Sequence, residues 1–345
     1  MIIIRLVIIL LMTNIIFCIK INDYKLLGSS NIFQDFTSFI LTSQQNILTV
    51  LENEEQNKVL FERDYWEKKD DQNNVISAYG LTACLQEGTL LEKGAASTTV
   101  VTGILSKERS DAISGRDQKI SGIDAGCKYY ASALSLVLHS RSPLVPTFRS
   151  DVRYFEVEKR DGARIGWFGG GADLTPYNIC EDEIKTFHRQ YKEICDKYDD
   201  TLYKKLKVNC DNYFFIPARG EHRGVGGIFF DDLSSLSENG IDSAMTFTKD
   251  VCNMFMTSYL PLTKLNSKPY TEEQRNFQLL RRGRYIEFNM LYDRGVRFGL
   301  APGGRIEAVM VSCPPLVKWS YNYTPKEGSE EARLMSILKK PIEWV

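Results

Sequence analysis

The sequence predicts a single α+β domain in which helices cover a large, mainly antiparallel β-sheet. Three observations favour this fold: a hairpin pattern over residues 153–168, helical patterns that follow runs of strand-like segments, and the lack of a repeat or a long Pro/Gly/Ser linker after about residue 45. A chain of 345 residues has room for one large domain or two modest ones. The missing linker favours one.

The hairpin gives the clearest strand signal. Residues 153–159 (RYFEVEK) partly alternate apolar and charged side chains, as a half-buried strand does, and residues 164–168 (RIGWF) form a second such segment. The Arg-Asp-Gly sequence between them predicts a turn. Further strands are predicted at residues 213–216, 227–230, 284–292 and 306–311.

Helices are predicted from apolar periodicity. Apolar residues at positions 47, 48, 51, 59 and 60 indicate an opening helix. From Glu181 onward, apolar residues recur at the spacing of one helix face, and the first turn holds three acids, where the helix dipole favours anions. Residues 241–260 and 330–339 are predicted to form two more helices.

The first nineteen residues differ from the rest because they are almost wholly apolar. They are short for a membrane span, which needs about 20 residues, and Arg5 lies near their start. We therefore expect residues 1–19 to be a signal peptide or an N-terminal anchor, residues 20–45 a polar leader segment, and residues 46–345 the folded domain. This predicts entry into the secretory route, with a mitochondrial or cytoplasmic location as alternatives.

Composition excludes several classes of protein. The chain is 43% hydrophobic and 25% charged, which is typical of a folded domain and excludes a mainly disordered chain. Its formal net charge of −1 gives no overall field to attract nucleic acid or acidic membranes, so we predict no nucleic-acid partner. Any recognition of anions must come from local arginine clusters.

Cysteine and histidine usage argues against a metal centre. The eight cysteines contain no CxxC pair, and after loss of Cys18 with a leader their odd, scattered set is typical of mostly buried thiols. The chain has three histidines, His139, His188 and His222, so a three-histidine site would need all of them. We predict no metal.

A glycine-rich segment at residues 167–176 (WFGGGADLTP) is unusual for a plain scaffold. Glycine allows close approach of the backbone, so Asp173 is expected at the rim of a sheet, where a ligand can reach it. Alternatively, the glycines form a tight turn and Asp173 caps the next segment. The segment lacks the lysine of a P-loop, which disfavours a phosphate site.

Three further segments place arginine beside glycine: residues 219–232 (RGEHRGVGGIFFDD), residues 281–297 (RRGRYIEFNMLYDRGVR) and residues 303–307 (GGRIE). Solvated side chains or ion pairs, inside the chain or between subunits, are the alternative for the first two. In the third, the turn of Gly303, Gly304 and Arg305 would let a carboxylate contact backbone N–H groups and a guanidinium. Together with Arg153, these segments favour a polycarboxylate ligand.

Long ordered segments carry a family resemblance from about residue 61 to residue 345. They include LQEGTLLEKGAAS, VPTFRSDVRYFEVE, WFGGGADLTPYN, YFFIPARGEHRGVGGIFFDDL, NFQLLRRGRYIEFNMLYDRGVRFGL and GGRIEAVMVSCPPLVKW. The chain resembles the oxygen-dependent coproporphyrinogen III oxidases, which are oxidoreductases of haem biosynthesis. The resemblance implies a homodimer with a flat antiparallel sheet. Because haem synthesis favours an organelle over export, it also implies delivery from the secretory route onward to a plastid-like organelle. It also implies oxidative decarboxylation of two propionates of coproporphyrinogen III to vinyls, giving protoporphyrinogen IX, with O2 as oxidant and no cofactor.

The resemblance also assigns residues. Arg153 matches the arginine that holds a substrate carboxylate, and Asp173 matches the aspartate that binds or deprotonates a pyrrole N–H. Ser135 and the turn at residues 303–305 match substrate-binding positions. His139 and His188 match positions of a metal proposed in some bacterial members, but two positions of that set of four are lost. We expect His188 to be a packed histidine. Residues 285–299 are expected near the dimer interface.

The chain departs from the family pattern at three positions. Arg149 replaces a histidine assigned as proton donor, Asp151 replaces an asparagine, and Ala218 replaces another frequent histidine. A guanidinium stays charged near neutral pH, so Arg149 cannot act as a general acid. We predict that Arg149 and Asp151 belong to the substrate-binding set, with Arg149 binding a propionate and Asp151 pairing with it. The alternative function is a catalytically impaired relative that binds tetrapyrroles without turnover.

Overall fold

The computed structural model describes residues 28–69, 76–114, 123–300 and 305–345. Its centre is a seven-stranded sheet in which every neighbouring pair of strands is antiparallel, in the order β1-β2-β3-β4-β5-β6-β9. The strands are β1 (Glu62–Lys69), β2 (Ile76–Gln86), β3 (Leu91–Ile104), β4 (Lys128–Ser140), β5 (Thr147–Glu158), β6 (Arg164–Thr175) and β9 (Gly226–Leu233), with β7 (Phe215–Ile216) and β8 (Glu221–His222) forming a separate small ribbon. The predicted antiparallel α+β fold is confirmed.

Helices fill the remaining segments. They are α1 (Asn31–Glu54), α2 (Lys107–Ser114), α3 (Glu181–Cys195), α4 (Leu202–Tyr213), α5 (Ile241–Thr263), α6 (Glu272–Leu291), α7 (Arg294–Gly299), α8 (Ile306–Met310) and α9 (Glu330–Lys339), with a 3-10 turn at Lys264–Ser267. The predicted hairpin, the strand at residues 227–230 and the helices starting at residues 181, 241 and 330 are confirmed. The strand predicted at residues 213–216 shrinks to β7.

The two faces of the sheet differ because side chains alternate along each strand. On one face, Phe148 of β5 stacks on Tyr259 of α5 with ring centroids 5.2 Å apart, and Phe168 of β6 meets Phe36 of α1 edge-on at 5.1 Å. This face carries the main hydrophobic core. The opposite face of β5 presents Arg149 and the charged residues that alternate with it, so it is available for a polar site.

The first helix changes the predicted domain boundary. It begins at Asn31, and the side chain of Ser30 caps it by accepting a hydrogen bond from the Phe33 N–H at 3.1 Å. Its buried face, which includes Phe36 and Ile40, belongs to the main core. The boundary drawn at residue 46 therefore falls inside α1, and residues 31–45 pack on the sheet. The predicted signal or anchor at residues 1–19 lies outside the described residues.

Two predicted strands are helices. Residues 284–292 fall almost wholly within α6, whose start has a capping box between Thr271 and Gln274, and residues 306–310 form α8. The buried face of α6 includes Arg281 and Arg282, which form ion pairs with buried glutamates. A hydrophobicity pattern counts these arginines as polar, and this hides the helical period.

The fold bears on two properties considered from the sequence, namely membrane-spanning helices and the state of the cysteines. Across the four described ranges, none of the helices combines the length and apolarity needed to cross a membrane. The seven cysteines in these ranges are free thiols, and Cys127, Cys195, Cys210 and Cys252 among them are buried.

Candidate active site

A cavity of about 570 Å³ lies over the polar face of the sheet. Short side chains of β3 and β4 form part of its floor, α2 contributes Arg109 and Ile113, and the segment around α8 contributes Val309 and Ser312. Its charged, polar and aromatic lining residues include Ser135, Arg149, Asp151, Arg153, Tyr213, Arg223, Phe229, Asp231, Asp293 and Arg294. The volume is typical of a small-molecule site, which takes about 300–1,000 Å³.

Three charged residues form a row along β5. Arg149, Asp151 and Arg153 are two positions apart, so they share the cavity face. Asp151 bridges the two arginines: its Oδ1 lies 2.6 Å from Nη2 of Arg149, and its Oδ2 accepts a hydrogen bond from Arg153. Burial acts to lower the pKa of Arg149, but the carboxylates of Asp151 and Asp173 outweigh it and raise that pKa. Arg149 therefore remains a cation.

Asp173 is held between two arginines. In the strand register it lies opposite Arg149 on one side and Gly227 on the other. Its Oδ2 is 2.7 Å from Nη2 of Arg223, and its Oδ1 is 3.8 Å from Nη1 of Arg149. It is only 2% exposed and lies behind these two arginines as seen from the cavity. The predicted position at an accessible rim is therefore wrong, because Asp173 is a buried strand residue and not a turn residue.

The glycines before Asp173 have a packing role instead of forming a turn, because all three belong to β6. Gly169 lies opposite Arg153 in the register. A Cβ at Gly169 would lie 2.7 Å from Nε of Arg153, closer than an ordinary contact. The glycine thus leaves room for the Arg153 guanidinium to lie flat across β6, directed toward Asp231, which is 3.4 Å away.

Arg223 is fixed more firmly than the other lining arginines. Its Cζ lies 3.9 Å from the ring centroid of Phe214 and 4.7 Å from that of Tyr285, a cation–π arrangement. Its Nη1 donates to Oδ1 of Asn289 at 3.3 Å, and its side chain is 1% exposed. The expectation of solvated arginines in residues 219–232 fails for Arg223. It holds for Arg219, which is exposed and pairs with Glu287 at 2.7 Å.

Comparison with known proteins identifies the family of this chain. A family model described as coproporphyrinogen III oxidase matches residues 35–344. The chain belongs to the coproporphyrinogen III oxidase family. The match begins inside α1, in agreement with the packing of that helix on the sheet.

Curated relatives carry the same description. The mitochondrial oxygen-dependent coproporphyrinogen-III oxidase of Mus musculus is 42% identical over 287 residues, which cover 83% of this chain and 63% of the mouse protein. The chain thus matches less than two thirds of the mouse protein's length. The oxygen-dependent coproporphyrinogen-III oxidase of Drosophila melanogaster is 40% identical, covering 94% of this chain and 82% of its own. That of Francisella tularensis subsp. mediasiatica is 40% identical, covering 90% and 97%.

Among the other residues that the coproporphyrinogen oxidase pattern assigns, Ser135 lines the cavity, and in the register it lies directly opposite Asp151. Arg305 lies elsewhere: it forms an ion pair with Asp64 of β1, and its Cζ is 5.6 Å from the ring centroid of Trp66. Gly303 and Gly304 lie outside the described residues. The structure therefore brings together Ser135, Arg149, Asp151, Arg153 and Asp173, but not Arg305.

Neither of the two histidines that match the bacterial metal positions is exposed. His188 is a packed histidine, as predicted: its Nδ1 meets the Tyr203 hydroxyl at 2.8 Å, its ring stacks on Trp344, and burial lowers its pKa to about 3. His139 is hydrogen-bonded on both nitrogens, to Thr147 at 3.1 Å and to the Ser312 carbonyl at 2.9 Å, and burial lowers its pKa. Within the described ranges, no group of three or more His, Cys, Asp or Glu side chains is placed to hold a metal ion.

Sequence reasoning singled out the segments of Arg223, Asp231 and Arg294 but did not assign these residues to the site. Asp231 bridges two lining arginines, with its carboxylate 3.4 Å from Arg153 and 3.3 Å from Arg294. Asp231 and Arg294 are 63 positions apart in the sequence, and they meet only because β9 pairs with β6. The alternation of Phe229 and Asp231 could have placed both on the cavity face once that strand order was known.

Proposed function

We propose that this chain is an oxygen-dependent coproporphyrinogen III oxidase that converts two propionates of its substrate to vinyls and yields protoporphyrinogen IX. In each step the propionate loses CO2 and two electrons. One O2 accepts the two electrons and, with two protons, leaves as H2O2. One of these protons comes from the carbon next to the ring and one from the medium, so atoms and charge balance. Molecular oxygen is the oxidant, and no cofactor takes part.

The observation that carries this proposal is a pair of buried polar atoms that face each other. Nη1 of Arg149 and Oδ1 of Asp173 are 3.8 Å apart, and neither finds a hydrogen-bond partner among the described residues. Buried donors and acceptors are normally paired. A porphyrinogen offers both missing partners, because a propionate can accept from Arg149 and a pyrrole N–H can donate to Asp173.

The lining residues then take separate roles. Arg153 holds a propionate, which its planar guanidinium can bind through two hydrogen bonds. Arg149 moves toward the other oxygen of this propionate and thereby uncovers Asp173. Asp173 binds or deprotonates the pyrrole N–H, and the ring becomes electron-rich enough to react with oxygen. Ser135 contacts the substrate from the floor of the cavity. Arg305 joins the substrate-binding set only by leaving its ion pair with Asp64.

The proposal is tested by incubating the purified protein with coproporphyrinogen III in air and under nitrogen. We expect protoporphyrinogen IX, CO2 and H2O2 in air only. Tight binding without product in air would overturn the proposal and would instead favour a tetrapyrrole-binding relative that has lost catalysis. Product under nitrogen would exclude O2 as the oxidant.

We also propose that the protein is a homodimer with residues 285–299 near its interface. Tyr285 and Phe288 are buried inside the chain, so the contact must use the exposed side chains nearby. Two large apolar side chains are solvent-exposed in the single chain, Leu291 within this range to 57% and Ile306, seven residues after its end, to 59%. Exposed apolar surface of this kind is typical of protein contacts. Sedimentation should show a dimer at micromolar concentration and a monomer for Leu291→Glu. A wild-type monomer would refute the proposal.

The N-terminal segment carries a separate proposal, namely that residues 1–19 direct the chain into the secretory route and onward to a plastid-like organelle. The long apolar run with few cations supports the secretory route, and haem synthesis favours an organelle over export. A fluorescent reporter fused after residues 1–45 should enter that route. A reporter confined to the cytosol or to mitochondria would contradict this.

A further inference from the structure

The cavity contains a second arginine–carboxylate unit outside the residues assigned so far. Asp231 on β9 lies between two guanidiniums: its Oδ1 is 3.4 Å from Nη2 of Arg153, and its Oδ2 is 3.3 Å from Nη2 of Arg294. Arg153 and Arg294 are therefore one carboxylate's width apart. A ligand that reaches Arg153 must also come close to Arg294.

Arg294 is fixed at its base and open at its end. Its backbone N–H donates to the Tyr213 hydroxyl at 3.2 Å, and its Cζ lies 5.0 Å from the centroid of the same ring. Tyr213 is held in turn by stacking on Phe229 at 4.2 Å. The Arg294 side chain is nevertheless 55% exposed. The guanidinium thus has a defined position and a free side that a ligand can approach.

Exposure increases along four of the lining arginines. The side chain of Arg223 is 1% exposed, that of Arg149 14%, that of Arg153 30% and that of Arg294 55%. Arg223 is held by Asp173, Asn289 and the aromatic rings around it and is only 1% exposed, so it does not turn to a ligand. Arg294 is at the other extreme and marks the open end of the row.

We infer that Arg294, positioned by Asp231 and Tyr213, binds a second carboxylate of the substrate at the open end of the cavity. This inference rests on the proposed function. The propionate that loses CO2 reacts at the buried end of the cavity, where Asp173 and Arg149 lie. Arg153 and Asp231 lie between that end and Arg294, so the carboxylate at Arg294 is a different one. Arg294 therefore selects porphyrinogens that carry carboxylates on at least two side chains, and it anchors the ring while the buried propionate reacts.

The test compares Arg294→Gln with Arg189→Gln, which removes an exposed arginine of α3 that lies outside residues 285–299 and does not line the cavity. The fluorescence of coproporphyrin III, the oxidised tetracarboxylate that cannot be turned over, reports binding. Arg294→Gln should weaken its binding about tenfold, the loss typical of a hydrogen bond between charged groups. Arg294→Lys should weaken binding less, and Arg189→Gln should leave it unchanged.

A ligand-side control separates anchoring from a general change in the cavity. The tetramethyl ester of coproporphyrin III has no charged carboxylate, so Arg294→Gln and wild type should bind it equally. In turnover assays, Arg294→Gln should raise KM about tenfold with kcat within about twofold, as expected for loss of binding shared by ground and transition states. Equal weakening of ester and acid, an equal loss in Arg189→Gln, or a fall in kcat alone would overturn the inference. Binding by an inactive wild type would refute the proposed function and leave the Arg294 comparison valid.

Discussion

Gly169→Ala is expected to separate activity from stability, because the added methyl group presses on a site residue and not on the core. A Cβ at position 169 would lie 2.7 Å from Nε of Arg153 and 2.8 Å from its Cζ and Nη2, whereas ordinary contacts are 3.4–4 Å. The guanidinium must therefore move by about 1 Å. It is the far end of a flexible side chain, so it can move without disturbing the sheet.

The substitution should lower catalytic efficiency without lowering stability. A shift of about 1 Å in a positioning group can cost about 10²-fold in rate, so kcat/KM should fall by about that factor. Gly169 is not among the glycines with positive φ, so alanine can adopt its backbone conformation. Replacing a glycine of this kind by alanine raises the free energy of unfolding by about 0.4–1 kcal/mol, because the unfolded chain loses conformational freedom. The free energy of unfolding should therefore stay constant or rise slightly.

The assay combines steady-state turnover with urea unfolding of the same preparations. Arg153→Ala supplies the control background: if Gly169→Ala acts by displacing Arg153, it should cost nothing further once that side chain is gone. Wild-type activity in Gly169→Ala would show that the position of the Arg153 guanidinium does not matter. A full additional loss in the double variant would show that the methyl group acts on another part of the site.

Three other outcomes follow from the buried charges. Asp173→Asn should lower the rate about 10²- to 10³-fold and also destabilise the fold, because a buried guanidinium loses its carboxylate; unchanged turnover would remove Asp173 from the mechanism. Arg149→His combined with Asp151→Asn should raise the rate if a missing proton donor limits it, and both single variants are needed because the side chains touch. His188 has a folded pKa lowered to about 3, against 6.5 when unperturbed, so the unfolded state takes up a proton first as pH falls. His188 alone should therefore lower the stability by about 2 kcal/mol from pH 7 to pH 5. A His188→Gln variant with the same pH dependence would contradict that assignment.

Local patterns in the sequence were sufficient where burial follows hydrophobicity. The hairpin of β5 and β6 and the helix beginning at Glu181 have apolar faces that pack on the main core, so their periods are visible in the chain. The pattern fails in α6 because part of its buried face is ionic. Arg282 is fully buried and pairs with Glu92 at 2.6 Å, a residue 190 positions earlier. No window along the sequence contains both partners.

Large separations along the sequence also limit what can be predicted about the site. Arg149, Asp151 and Arg153 could be grouped in advance, since alternation along one strand puts them on one face. The burial of Asp173 could not, because it depends on Arg223 arriving from a segment fifty residues later. The contact between Asp231 and Arg294 likewise depends on the pairing of β9 with β6 and on the position of α7.

The structure gives a physical reason why Arg149 and Asp151 occur together. An additional guanidinium at position 149 would stand near those of Arg153 and Arg223, and charges of one sign in a buried site are costly. Asp151 offsets this cost, because its carboxylate contacts both Arg149 and Arg153. The two departures from the family pattern thus leave the net charge of the row nearly as it would be with a neutral histidine and an asparagine. Either residue alone would change that charge by one unit, so each single reversion should bind the tetracarboxylate differently from the pair: Asp151→Asn more tightly, and Arg149→His more weakly.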